Sequence, residues 1–273
     1  MKKLISFIIS MILILSLCAC STNNNTAETE STTKSNIYTG TLTDPIILDS
    51  ETDEIITLKN INAEMSTSVI ESTGSKSLTI ILEGDNTITT TGQDIKSIIT
   101  DGDLTIKGNG SLYITSDDTA IKSKDNLTIE SGTYTLIASG DGLRANETLT
   151  INGGNININA IEGLESTEVI INSGTISILA SDDGINASLK SETKMPKFEM
   201  NDGSLEIQMG PGDTDAIDSN GDLIVNGGKI TIDAQFAFDF AGKAELNGGE
   251  VYVNREKVTE IVNSMIMNED HRW

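Results

Sequence analysis

One phrase recurs along this chain and limits what it can fold into. A short apolar-x-apolar run leads into a tight turn that ends in glycine. It reads Leu104-Thr105-Ile106 up to Gly110, then Leu127-Thr128-Ile129-Glu130-Ser131-Gly132, then Leu149-Thr150-Ile151-Asn152-Gly153-Gly154. It returns as Val169-Ile170-Ile171-Asn172-Ser173-Gly174, Phe198-Glu199-Met200-Asn201-Asp202-Gly203, Leu223-Ile224-Val225-Asn226-Gly227-Gly228 and Ala244-Glu245-Leu246-Asn247-Gly248-Gly249. The glycines at 110, 132, 154, 174, 203, 228 and 249 lie 22, 22, 20, 29, 25 and 21 residues apart. Leu78-Thr79-Ile80 with Gly84 is an earlier copy.

A second alternating run follows each turn, as in Leu112-Tyr113-Ile114 or Ile156-Asn157-Ile158. A third carries an acidic phrase beside Ala120-Ile121, Gly142-Leu143, Gly163-Leu164, Gly184-Ile185, Ala216-Ile217 and Ala237-Phe238. Three short period-2 strands per ~22 residues cannot each bury a face alone. Coiling the chain stacks like on like at the ~4.8 Å strand spacing. The fold class expected is therefore all-β: a single-domain right-handed parallel β-helix of about eight coils over 61–254. The period excludes the nine-residue glycine/aspartate calcium repeat of toxin-like β-rolls. Asn and Gly suit the turns because both tolerate left-handed backbone, and stacked Asn side chains can hydrogen-bond between coils. No chemistry is assigned to Asn152, Asn172, Asn226 or Asn247.

The ends need covers. Val258, Ile261, Val262, Met265 and Ile266 follow helical spacing, so a short C-terminal capping helix is expected from Lys257 to about Asn268, within 255–273. Residues 37–60 should form the opposite cap and the first strands. Ahead of them, Lys2-Lys3 and the apolar run Leu4 to Ala19 have the layout of a secretory signal, 1–19. Leu17-Cys18-Ala19-Cys20 resembles the bacterial lipoprotein signal, which makes Cys20 the lipidated first residue of the mature chain. Cys18, after bulky Leu17, is the poorer candidate. No cysteine follows Cys20, so no intramolecular disulfide can form in the folded part. Residues 20–36 lack core material and read as a flexible tether. The expected location is the extracellular face of the cell membrane, with contact through the lipid only and the domain acting as a monomer.

Removing 1–19 takes away two lysines and no acid, moving the net charge from −23 to −25. Such a chain repels nucleic acid and favours cations. Its one histidine, His271, disfavours His-based zinc chemistry and a Ser-His-Asp triad. Ten aromatics and three prolines are few for an enzyme with a deep apolar pocket.

Aligned on the third strand, the acids fall at one corner: Asp117 and Asp118, Asp141, Glu162, Asp182 and Asp183, then Asp213, Asp215 and Asp218. Carboxylates stacked within roughly 5 Å repel and raise one another's pKa. A hard cation with six to eight oxygen ligands relieves this, which points to Ca²⁺, with Asn186, Asn220 and backbone carbonyls completing its shell. Mg²⁺ fits less well, because it keeps its waters. The alternative is a row of solvated turn aspartates. Alternation puts Lys122 and Arg144 outward, one coil apart, in a row continued by Glu165, Asn186 and Asp218. The coil after Ala187 is lengthened by roughly ten residues that carry Lys190, Lys194 and Lys197. This loop either contacts a polyanion or is an ordinary solvated insertion. The outward row Tyr113, Thr135, Asn157, Ser177, Glu206, Thr231 and Tyr252 is flat and hydroxyl-rich, suited to a long polysaccharide or simply to water.

With these phrases in place, the chain resembles a bacterial family named for its carbohydrate-binding domain. Its members are secreted right-handed parallel β-helices related to pectate lyases, particularly polysaccharide lyase family 9. The residues that carry the likeness are Ser181-Asp182-Asp183-Gly184-Ile185-Asn186-Ala187, Ser116-Asp117-Asp118-Thr119-Ala120-Ile121 and Gly212-Asp213-Thr214-Asp215-Ala216-Ile217-Asp218-Ser219-Asn220-Gly221. The resemblance implies calcium at those acids and binding of a plant-type polysaccharide, polygalacturonate or cellulose-like. Glu162-Gly163-Leu164 departs from the pattern in lacking the paired acids, so that coil is expected to lack its own ion. Three functions follow. The first is a surface-anchored, calcium-loaded, non-catalytic polysaccharide-binding lipoprotein. The second is a calcium-dependent uronate lyase with Lys122 or Arg144 as base. The third is a structural or adhesive surface protein.

Overall fold

The computed structural model describes residues 36–49, 51–74, 76–210 and 214–264. Their regular structure is all strand, and it coils into a right-handed parallel β-helix of about nine turns. The turn beyond the eight expected comes from the first strands, Asn36–Leu42 and Ile46–Leu48. Among the described residues no helix is long and apolar enough to cross a membrane. The signal segment, Cys20, the tether up to residue 35, Asp213 and His271 lie outside the described residues, and Asn36, the last residue expected in the tether, begins the first strand.

Each turn contributes three strands, and the strands stack into three faces. The first face holds the phrase Leu-Thr-Ile and its variants. The second holds the strand after the turn, and the third holds the acidic phrase. The third face is a separate sheet of nine strands among the described residues, from Ile46–Leu48 through Ile121–Ser123, Asp141–Ala145, Glu162–Ser166, Ile185–Ala187 and Asp215–Ser219 to Phe236–Phe240. The first two faces form one sheet, joined through the long strand Glu54–Met65.

Register explains the packing. Ile56, Ile80, Ile106, Ile129, Ile151, Ile171, Met200 and Val225 pair in sequence as one column, and all are fully buried. A column of equal residues fills equal space in each turn, so the core is continuous along the axis. Burying one such side chain contributes about 1.5–3 kcal/mol. The chain needs no disulfide to close this core.

Five turns carry an asparagine ladder. Asn172 Nδ2 donates to Asn152 Oδ1 at 2.7 Å, Asn201 to Asn172 at 2.9 Å, Asn226 to Asn201 at 2.8 Å and Asn247 to Asn226 at 2.9 Å. The glycine that ends each of these turns, such as Gly174 at φ +112 or Gly203 at φ +97, occupies backbone space that other residues avoid.

The C-terminal cap differs from expectation. Glu256–Val258 is a strand, antiparallel to Glu250–Val253, and Tyr252 faces Lys257. Asn254 and Arg255, at φ +51 and +74, turn the chain between them. An open sheet edge needs backbone donors and acceptors, which a hairpin strand supplies and a helix does not. Ser264 then covers the last third-face strand. Its N–H donates to Phe238 O at 2.8 Å, and its Oγ accepts the N–H groups of Ala237 and Phe238. Residues 265–273 lie outside the described residues.

Asn201→Ala removes a donor and an acceptor from the middle of the asparagine ladder. The expected loss is about 1–2 kcal/mol, read as a Tm lower by about 2–8 °C in thermal unfolding.

Candidate functional site

The third-face strands bend at a column of small residues: Ala120, Gly142, Gly163, Gly184, Ala216 and Ala237. A Cβ on Gly163 would lie 2.4 Å from Gly184 O and 2.5 Å from Ile178 Cγ2, and one on Gly184 would lie 2.5 Å from Ala216 O. At Gly142, Gly163 and Gly184 the neighbouring turn and the core leave no room for a Cβ, while Ala120, Ala216 and Ala237 fill the same column elsewhere. The bend turns two rows of side chains outward, one before it and one after it.

The row after the bend is Lys122, Arg144, Glu165, Asn186, Asp218 and Asp239, paired residue for residue. Asp239 was not among the sequence candidates. Its signal was the match of Phe238-Asp239 to Ile217-Asp218 in the third-strand register. The row before the bend is Thr119, Asp141, Glu162, Asp183 and Asp215. Asp141 pairs with Glu162. Gly163 N–H donates to Asp183 O and Gly184 N–H to Asp215 O, at 3.0 and 3.2 Å, which continues the row.

The candidate acids do not all serve alike. Asp117 Oδ2 accepts the Gly92 N–H at 2.9 Å. Asp118 pairs with Lys96 at 2.6 Å and accepts the Thr119 N–H at 2.7 Å. Burial raises the pKa of Asp118, but these bonds and the Lys96 charge outweigh it and hold the carboxyl below its ordinary value. This first Asp-Asp pair therefore fastens the turn around 91–97. Asp182 is exposed to solvent.

The next turns hold a partly neutralised cluster. Ligand oxygens of Asp141, Glu162 and Glu165 all lie within 4.8 Å of one another. Arg144 Nη1 bridges Asp141 at 3.1 Å and Glu165 at 2.5 Å. Lys190 also pairs with Glu165, which is only 3 % exposed. Two cations thus face Asp141 and Glu165.

Beyond them, cations run out. Glu162, Asp183 and Asp218 make no ion pair among the described residues. Burial first, then the charges of Glu165 and Asp141, push Glu162 up to about 7. Burial and the neighbouring Asp218 and Asp182 push Asp183 to about 7. Burial and Asp239 push Asp218 to about 6. Asn186 Nδ2 donates to Glu162 Oε1 at 3.2 Å, yet Asn186 Oδ1 and Glu162 Oε2 are buried without a hydrogen-bond partner among the described residues. Unpartnered buried oxygens next to uncompensated carboxylates suit a hard cation. The donors are all oxygen, with no thiolate or imidazole, which fits Ca²⁺ and not a zinc site. Glu162, in the turn that lacks paired acids, stands at the centre of this set.

The basic candidates divide as well. Lys194 pairs with Glu168 at 2.8 Å and Lys197 with Glu199 at 2.9 Å, so both fasten the lengthened loop to its own chain. Lys122 is half-buried and has no ion pair among the described residues. Burial, then Arg144 and Lys96, lower its pKa. A shallow groove beside the corner is lined by Ala138, Asn159, Ile161, Leu179 and Ser181. The hydroxyl-rich row from Tyr113 to Tyr252 pairs in the expected register on the second face.

Comparison with known proteins agrees with this architecture. A family profile described as "Carbohydrate-binding domain-containing protein" matches residues 24–257. A solved structure described as a polysaccharide lyase-like protein from C. thermocellum, a gadolinium derivative, superposes with a TM-score of 0.51. It is 24 % identical, and the match covers 81 % of this chain and 85 % of that one. At that identity it supports the fold. No curated protein matches the chain.

Glu162 and Asp183 bind their protons more tightly folded than unfolded when no metal is present. Their contribution to stability is full below the ordinary carboxylate pKa and is lost as pH rises through about 7. Thermal unfolding in chelator should therefore show Asp183→Asn gaining on wild type between pH 5 and 8 by several degrees. An equal pH slope in both proteins would contradict the assignment.

Proposed function

Because the chain belongs to the carbohydrate-binding domain-containing family, we propose that it is a calcium-dependent, non-catalytic polysaccharide-binding protein. We further propose that Cys20 anchors it by lipid to the outer surface of the cell membrane. One observation carries the reading: buried, unpartnered Glu162 Oε2 and Asn186 Oδ1 beside the uncompensated carboxylates of Asp183 and Asp218. Glu162, Asp183 and Asn186 would hold the ion, with Asp215 and Asp218 on the following turn. Bound there, a divalent ion supplies positive charge to a surface that otherwise repels an acidic sugar chain.

The chain's own residues do the rest. Arg144 and Lys122 lie on the same row, one and two turns toward the N-terminus from Glu165. They present cations to a ligand carboxylate. The groove at Ile161 and Leu179 offers an apolar surface to a sugar ring, and Asn159 and Ser181 offer hydrogen bonds. A polymer of uronate units, such as polygalacturonate, matches this alternation of metal, cation and groove better than a neutral glucan does.

One observation favours a second reading, in which the same corner cleaves the polymer. Lys122 has no ion pair among the described residues, and its amine holds its proton less tightly than usual. As a neutral base it would take the proton alpha to a uronate carboxylate. The electron pair would form the carbon–carbon double bond, and the glycosidic oxygen would leave.

Co-sedimentation with polygalacturonate, in calcium and in chelator, tests the first reading. Binding should fall at least about 10-fold in chelator and equally in Asp183→Asn in calcium, the scale of losing one charge-assisted contact. Undiminished binding in chelator would contradict it. Growth of ultraviolet-absorbing unsaturated products in wild type, abolished in Lys122→Met, would establish cleavage instead.

A further inference from the structure

The lengthened turn 188–197 leaves the third face after Ile185–Ala187 and is held in several places. Buried Thr167 Oγ1 accepts the N–H groups of Lys190 and Ser191 at 2.9 and 3.1 Å. Glu147 accepts the hydroxyls of Ser191 and Thr193. Lys194 and Lys197 pair with Glu168 and Glu199. These anchors all sit on the side of the first face. Lys190 is different. Its ammonium reaches over the third face onto Glu165 Oε1, and its charge also lowers the pKa of Asp218 two turns away.

We propose that Lys190 is a tethered counter-ion of the candidate metal site, so that divalent-cation binding and docking of the 188–197 strap oppose each other. The inference rests on the calcium reading above and names a regulation of that site. Glu165 and Glu162 present oxygens within 4.8 Å of each other, so an ion on Glu162 lies close to the lysine's partner. Two positive charges at one corner repel, and in this poorly solvated place the screening is weak. Coupling is reciprocal: an ion that weakens the strap's hold is itself bound less tightly while the strap is docked. Strap release would also expose more of Leu189 and Met195, already 60 % and 79 % exposed.

Two measurements on the full folded domain test this. In calcium titrations followed by calorimetry, Lys190→Gln should bind calcium about 5-fold or more tightly than wild type. Lys243→Gln removes the same charge from a residue outside the loop, paired with Glu245, and should leave the affinity within about 2-fold. In limited trypsin digestion of wild type, calcium should speed cleavage after Lys190 even as it slows unfolding of the domain. Calcium binding with equal affinities in the two variants, or with cleavage after Lys190 unchanged or slowed, overturns the strap and leaves the metal site standing. Failure of wild type to bind calcium at all overturns both.

Discussion

Parallel strands stacked in register at about 4.8 Å govern this molecule. Every residue has a counterpart directly above and below it, so each position must be tolerable as a column. Isoleucines in a column bury one another. Asparagines in a column hydrogen-bond, each amide donating to the carbonyl of the turn before. Carboxylates in a column have no such solution. They repel at a distance where little water separates them, and the repulsion accumulates along the axis.

The chain answers that repulsion in three ways along one corner. At Asp117 and Asp118 it uses the acids to fasten a turn, with a backbone N–H and Lys96 as partners. At Asp141 and Glu165 it supplies cations, Arg144 from the same strand and Lys190 from an inserted loop. At Glu162, Asp183 and Asp218 it supplies no ion pair among the described residues, and Glu162 Oε2 and Asn186 Oδ1 are left without donors there. The gradient from cation-rich to cation-poor turns gives the corner a direction, with Lys122 and Arg144 at one end and the candidate ion at the other.

The fold was legible because the repeat is a direct image of the columns. The row Lys122, Arg144, Glu165, Asn186 and Asp218 could be read from spacing alone, because alternation in short strands leaves one outward position per turn. What spacing could not resolve is partnership. Asp117-Asp118 and Asp182-Asp183 look alike in sequence, yet among the described residues only the first pair meets a lysine, while Asp183 Oδ1 accepts just the Asp215 N–H at 3.4 Å. That difference depends on what residues 91–97 do one turn earlier. The Lys190–Glu165 pair joins residues 25 positions apart through an insertion whose path no periodicity describes. The capping helix failed for a related reason. Helical spacing from Val258 onward competed with an open sheet edge that a hairpin strand could satisfy.

The central claim is that a divalent ion completes the column where cations run out. A crystal structure of the domain grown in calcium tests it most directly. The account predicts an anomalous-scattering peak ligated by Glu162 Oε2, Asn186 Oδ1 and Asp183. An empty corner at saturating calcium, with Glu162 and Asp183 bonded only to water, would contradict it.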